Sequence, residues 1–120
     1  MPHEVGAALE ELFGAAARKV RVFEFSRLAR LHGRAVATTR RRRIYLRGSA
    51  DDFWANPTLV LHEYWHVLGQ WETGSLTTAR YLAECLRRGY WNNRFEVEAR
   101  AFAAANTARL RERLSAAARR

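Results

Sequence analysis

Asn56-Pro57-Thr58-Leu59-Val60-Leu61-His62-Glu63-Tyr64-Trp65-His66-Val67-Leu68-Gly69-Gln70-Trp71 is the stretch that decides how this chain is read. It opens with an Asn suited to cap a helix and a Pro suited to the first helical position. No breaker follows until Gly69. Val60, Tyr64, Val67 and Trp71 recur at helical spacing, with Leu61, Trp65 and Leu68 beside them. The spacing predicts a helix that is apolar over most of its surface and largely buried. Inside it lies a His-Glu-x-x-His pattern. His62 and His66 share one helical face, one turn apart, where two imidazoles can hold a single zinc ion. Glu63 is then close enough to serve as general base toward a zinc-bound water. The competing reading is a pair of histidines hydrogen-bonded in a core. Two imidazoles and a carboxylate in one buried turn are costly to desolvate without a purpose, which favours the metal.

Catalytic zinc takes three protein ligands and keeps one position open. No histidine follows the motif, while His3 and His32 precede it in separate elements. The downstream carboxylates are Glu72, Glu84, Glu96, Glu98 and Glu112. Glu96 and Glu98 stand at the start of the last helix, in Asn93-Arg94-Phe95-Glu96-Val97-Glu98-Ala99-Arg100. Asn93 followed three residues later by Glu96 is also close to a capping box, so Glu96 has a purely structural role open to it. Glu98 suits the positive end of the helix dipole. Ala99 and Ala103 share the side of Glu96, and Ala101 and Ala105 that of Glu98, so periodicity leaves both open.

The length of 120 residues predicts one domain, 1–120, large enough for a real core without staples. Fourteen aromatics and a hydrophobic fraction of 48% argue against disorder. Cys85 stands alone, which excludes an intrachain disulfide and a cysteine zinc cluster; it reads as a small apolar helix residue. No apolar run is long enough for a bilayer and the N-terminus lacks a signal-peptide pattern, so the expected location is the cytoplasm, with export by a signal-less route as the alternative and no membrane partner. The net charge is +9, and 20 of the 21 basic residues are arginine. Such a surface attracts nucleic acid, anionic membrane or acidic peptides. The charge is spread along the chain without a nucleic-acid-binding motif, and the Arg40–Arg43 run reads as a solvated hairpin turn.

The remaining pattern predicts a helix from Glu4 to about Ala17, a short strand Val20–Phe23, and a helix capped by Ser26 running through Leu31. Two strands, Arg34–Thr38 and Arg43–Arg47, flank the basic turn, and Gly48 to Ala55 reads as loop. After the motif helix come Thr77–Arg88, closed by Gly89, and a last helix from Asn93 to the end. The fold class is α+β: a small antiparallel or mixed sheet packed on the motif helix, with further helices C-terminal to it.

These residues resemble the zincin metallopeptidases of the gluzincin type, which carry His-Glu-x-x-His on one helix and a ligand glutamate on a later one. Arg94-Phe95-Glu96-Val97-Glu98-Ala99 looks like the third-ligand region of membrane-associated members of that clan. The resemblance implies that Glu96 completes a zinc site with His62 and His66. Those proteins place an aspartate four residues further on, where this chain has Arg100. Leu12-Phe13-Gly14, Val20-Arg21-Val22, Gly33-Arg34-Ala35, Ile44-Tyr45-Leu46, Leu61-His62-Glu63, His66-Val67 and Gln70 extend the likeness. Taken in order, they resemble a family of small bacterial zincin-like metallopeptidase domains, some of which accompany contractile injection systems. The resemblance implies a zincin-like fold and zinc-dependent hydrolysis of a protein or peptide substrate. An extended substrate would pair with the strand above the cleft, for which Ile44–Arg47 is the candidate. Tyr90 or Tyr45 would be the donor to the oxyanion. The alternatives are an inactive zincin-like adaptor and a basic module gripping nucleic acid or an acidic partner.

Overall fold

The structure is a computed structural model that describes residues 1–30 and 37–119. His32, the Gly33-Arg34-Ala35 segment and the expected strand start at Arg34 lie outside the described residues. The first helix, α1 (His3–Phe13), is shorter than the sequence pattern predicts. Gly14 takes a positive φ of 82°, open to glycine at little cost, and the chain continues as a tight 3-10 turn over Ala15–Lys19. Next come β1 (Arg21–Phe23), the one-turn helix α2 (Arg27–Arg30), β2 (Ala37–Arg40) and β3 (Arg43–Leu46). Ser26 supports α2 as expected, its Oγ accepting from the Leu28 N–H at 3.2 Å.

The three strands form one mixed sheet in the order β1-β3-β2. β3 runs parallel to β1, with Val22 opposite Ile44, and antiparallel to β2, with Thr39 opposite Ile44. This corrects the expectation that Ile44–Arg47 is the substrate-pairing strand. β3 is the central strand, hydrogen-bonded on both sides, and has no edge to offer. Among the described residues the outer strand beside the motif helix is β2. Ile44 and Leu46 point into the core, while Tyr45 lies on the opposite face, stacked on Phe23 at 5.1 Å.

The stretch Gly48 to Ala55, expected as loop, contains the short helix α3 (Ala50–Trp54). Ser49 caps it, accepting from the Asp52 N–H at 3.1 Å, and it buries Phe53 and Trp54. Then comes α4 (Pro57–Tyr64), capped as predicted by Asn56, whose side chain accepts from the Leu59 N–H at 3.2 Å. It passes without interruption into a π-helical segment, Trp65–Trp71. α5 (Thr78–Asn92) is broken by Gly89 at φ 76°, the predicted stop, but one further turn follows the break. α6 (Arg94–Ala118) completes the chain.

Val60, Leu61, Tyr64 and Val67 form the middle of the core. They meet Leu9 of α1, Ile44 and Leu46 of β3, Phe53 and Trp54 of α3, and Ala103 and Leu110 of α6. Burying each large side chain contributes roughly 1.5–3 kcal/mol, so the motif helix is the best-anchored element of the fold. Its inner face packs on α6, which is how the start of α6 comes to stand against the two histidines.

Candidate metal centre

His62 is on α4 and His66 is one turn on, in the π-helical segment. Glu96 is in the first turn of α6. Their tips converge. The two Nε2 atoms are 3.2 Å apart, and one oxygen of Glu96, Oε1, lies 2.9 Å from His62 and 3.0 Å from His66. The ligand atoms of the three residues all fall within 4.8 Å of one another, an arrangement able to hold a metal ion. Among the described residues this is the one group of that kind. His3 is exposed on α1 and takes no part.

The other carboxylates are accounted for. Glu98 is exposed and accepts from Gln70 Nε2 at 3.3 Å. Glu84 is buried, but it accepts from the Arg94 N–H at 3.2 Å and so caps α6. Glu72 pairs with Arg42 at 3.3 Å, and Glu112 is exposed. The capping-box role open to Glu96 is not used. Asn93 bonds the Phe95 N–H through its own side chain, and the Asn93 N–H goes to the Tyr90 carbonyl.

Two residues that sequence reasoning left without a role hold the cluster in place. Gln70, fully buried, accepts from His66 Nδ1 at 2.6 Å and donates through Nε2 to the Phe95 carbonyl at 2.9 Å. The second bond fixes which way the amide faces, so the first fixes a proton on His66 Nδ1. Neutral His66 then presents an Nε2 lone pair toward the other two ligand atoms. The sequence signal was the i, i+4 spacing of His66 and Gln70. Tyr81 of α5 donates its hydroxyl to the second oxygen of Glu96, Oε2, at 2.7 Å. Oε1 is left as the oxygen that faces the histidines. Nothing in the local sequence marked Tyr81. Arg100 does not orient a ligand; it turns to the Trp91 carbonyl and lies over the Trp91 ring at 3.7 Å.

Proton affinities follow from this packing. Burial raises the Glu63 carboxyl, His66 and His62 pull it back, Glu96 pushes it up again, and the net shift is upward. For Glu96, burial raises and the bonds from His62, His66 and Tyr81 lower; the bonds win, holding it below the usual carboxylate range. Burial lowers His66, but its bond to Glu96, the charges of Glu63 and Glu96 and the Gln70 bond lift it to about 9.

A cavity of about 220 Å³ opens onto the cluster. Its walls are β2 (Ala37, Thr38, Thr39 and Arg40), the motif helix (Glu63, His66 and Trp71), and α5 with Leu76 and Glu96. Glu63 lines this cavity outside the three-ligand group. Tyr90 stands at its rim, half exposed, its hydroxyl pushed up to about 12 by burial and by the charges of Glu96 and Glu63. Tyr45 is not among the lining residues, so the structure does not bring it to the site. Arg42 in the basic turn adopts a φ of 61°, and the ion pair with Glu72 ties that turn to the end of the motif helix. No helix among the described residues is long and apolar enough to cross a membrane.

The sequence profile of the eCIS core domain family matches residues 1–74, more than half of the chain, and the chain belongs to that family, which links it to extracellular contractile injection systems. The match contains His62, Glu63, His66 and Gln70 and stops before Tyr81 and Glu96. No curated protein and no solved structure matches the chain.

Proposed function

We propose that this member of the eCIS core domain family is a zincin-like, zinc-dependent metallopeptidase. The observation that carries the reading is the convergence of His62 Nε2, His66 Nε2 and Glu96 Oε1 beside an uncommitted buried carboxylate, Glu63, at the floor of an open cavity. The donor set suits zinc. Ligands at about 2.0–2.1 Å around a tetrahedral ion stand about 3.3 Å apart. The observed separations of 2.9, 3.0 and 3.2 Å need to open by only a few tenths of an ångström. Gln70 and the Tyr81 hydroxyl supply the outer hydrogen bonds that hold a histidine and a carboxylate ligand in one orientation.

A zinc ion held by His62, His66 and Glu96 would supply Lewis acidity toward a peptide carbonyl and would lower the pKa of water to about 7. The chain's own groups do the rest. The upward shift of Glu63 suits a base that must take a proton from the attacking water and then release it to the leaving amine. Tyr90 at the rim donates its hydroxyl to the carbonyl oxygen as charge builds there. The outer edge of β2 pairs with extended substrate backbone across the cavity.

The test measures zinc content and cleavage of a mixture of unstructured peptides by mass spectrometry. The expected outcome is about one zinc per chain and cleavage that disappears in Glu63→Gln while the zinc stays. Arg100, which faces Trp91 instead of the site, favours a second reading, a zinc-holding adaptor without peptidase activity. Zinc uptake with no cleavage in the wild-type chain would select that one.

A further inference from the structure

α5 wears its apolar face outward. Leu82 and Leu86 are one turn apart on the same side, and Tyr90 and Trp91 follow beyond the Gly89 break. In an amphipathic helix this is the face that packs on a core. Here Leu86 is 90% exposed, Trp91 67%, and Leu82 and Tyr90 56% each. The more buried side of the helix carries Glu84, with Tyr81 and Cys85 half-buried next to it. Single exposed leucines are ordinary, but four large apolar side chains on one helix mark a surface that is covered in use.

Two further observations indicate what covers it. The stripe is continuous with the cavity, because Leu82 and Tyr90 also line the cavity wall, so an occupant that follows the stripe arrives at the metal cluster. The stripe is also bordered by positive charge. Arg87 and Arg94 are exposed, and Arg88 pairs with Glu84 at 3.9 Å with over half its side chain in solvent. A second copy of the chain, itself at +9, would set these arginines against their own symmetry mates. A chain with apolar residues among carboxylates meets both features.

We infer that the α5 stripe is a docking surface for the polypeptide substrate beyond its scissile bond, and that the substrate class is an extended, acidic segment carrying large apolar side chains. The apolar residues sit on Leu82, Leu86 and Trp91, and the carboxylates reach Arg87 and Arg88. This rests on the peptidase reading for the word substrate, but the binding itself needs no turnover.

The experiment therefore uses the zinc-loaded Glu63→Gln chain, which binds without cutting. Two fluorescently labelled, unstructured peptides of equal length are compared by anisotropy: one with Leu and Phe spaced among Glu, the other with Lys replacing every Glu. The expected result is that the Glu peptide binds at least about tenfold tighter, with the gap narrowing at high salt. Leu86→Asp and Trp91→Ala, both at solvent-facing positions, should each weaken it about fivefold or more while circular dichroism stays unchanged. Equal binding of the two peptides, or indifference to both substitutions, overturns the inference. So does a dimer, or binding to phosphatidylserine vesicles, that Leu86→Asp abolishes, since either would give the stripe another occupant. If the wild-type chain binds the Glu peptide and cuts nothing, the peptidase reading fails and the docking surface stands. If it cuts peptides and both substitutions are without effect, only the docking surface fails.

Discussion

α4 and α5 line the same cavity from neighbouring sides, yet α4 turns Val60, Leu61 and Tyr64 into the core, whereas α5 turns Leu82 and Leu86 into solvent and buries a glutamate. On α4 the face that stabilises the fold is continuous with the face that presents His62 and Glu63. On α5 the two jobs are separated. That helix is held by polar bonds: the Thr77 cap on Arg80 at 3.1 Å, Glu84 to the Arg94 N–H, Asn93 to the Tyr81 carbonyl at 3.2 Å, and Tyr81 to Glu96. Hydrogen bonds of this sort contribute roughly 0.5–1.5 kcal/mol each, less than a buried leucine. One wall of the cavity is therefore rigid by packing and the other is held by directed bonds.

The comparison is broken most directly by truncating each helix. Leu61→Ala should cost about 2–5 kcal/mol in urea unfolding, because Leu61 is fully buried between α4 and its neighbours. Leu86→Ala should stay within about 0.5 kcal/mol. Comparable losses would mean that α5 has a core the structure does not show.

Zinc sharpens the same contrast. Added at about 100 times its Kd, it should stabilise the wild-type chain by about 2.7 kcal/mol. The gain should vanish in His66→Ala and fall steeply in Glu96→Gln, but persist in Glu98→Gln, whose side chain lies outside the ligand group. Tyr81→Phe and Gln70→Ala remove supporting bonds without removing a ligand atom and should weaken zinc about 10–100-fold. Competition titration against a chelating dye measures all five. An unchanged Tyr81→Phe would show that α5 has no hold on the cluster.

The pH dependence separates the two bonded partners. His66, raised to about 9 from 6.5, adds stability that is fully present below pH 6.5 and lost as pH climbs through 9. Glu96, lowered from 4.5, adds stability that is present above pH 4.5 and lost as pH falls below it. In chelator-treated protein the contribution of the cluster should peak between about pH 4.5 and 6.5. Zinc must displace the His66 proton, so its affinity should rise with pH up to about 9. A flat zinc profile across that range would remove His66 from the ligand set. Modest effects concern the helix starts. Asn56→Ala and Thr77→Ala should each cost about 1 kcal/mol in thermal unfolding, Asn56→Ala without altering zinc uptake.

Much of α4 was legible because its signals are local: an Asn cap, a Pro at the first position, and an apolar stripe at one period. The same local logic identified the cap at Asn93 and the break at Gly89. It also could have found α3, since Ser49 followed by Asp51 and Asp52 is a helix start. Gly14 proved a stronger stop than the apolar pattern around it suggested. Strand order was not legible. β3 lies centrally because β1 joins it in parallel from across the chain, and no residue of Ile44-Tyr45-Leu46 encodes which neighbours it will have. The choice between Glu96 and Glu98 failed on periodicity because both sit among alanines. The fold separates them through Phe95 and Ala99, which bury and carry Glu96 inward with them. Tyr81 was invisible for a related reason: its role depends on the packing of α5 against the start of α6.

His62 and His66 meet Glu96 across 34 and 30 residues of chain. In polymer terms the cluster is a cross-link that closes a loop, and the loop contains the whole of α5. A permanent link withholds about 3 kcal/mol of chain entropy from the unfolded state for a 15-residue loop and about 4.7 for a 100-residue one, and this loop lies between. An ion seated there would act as a clasp on the segment with the least core of its own. Its loss would first free residues 75–92 to protease while the sheet and α4 remained closed.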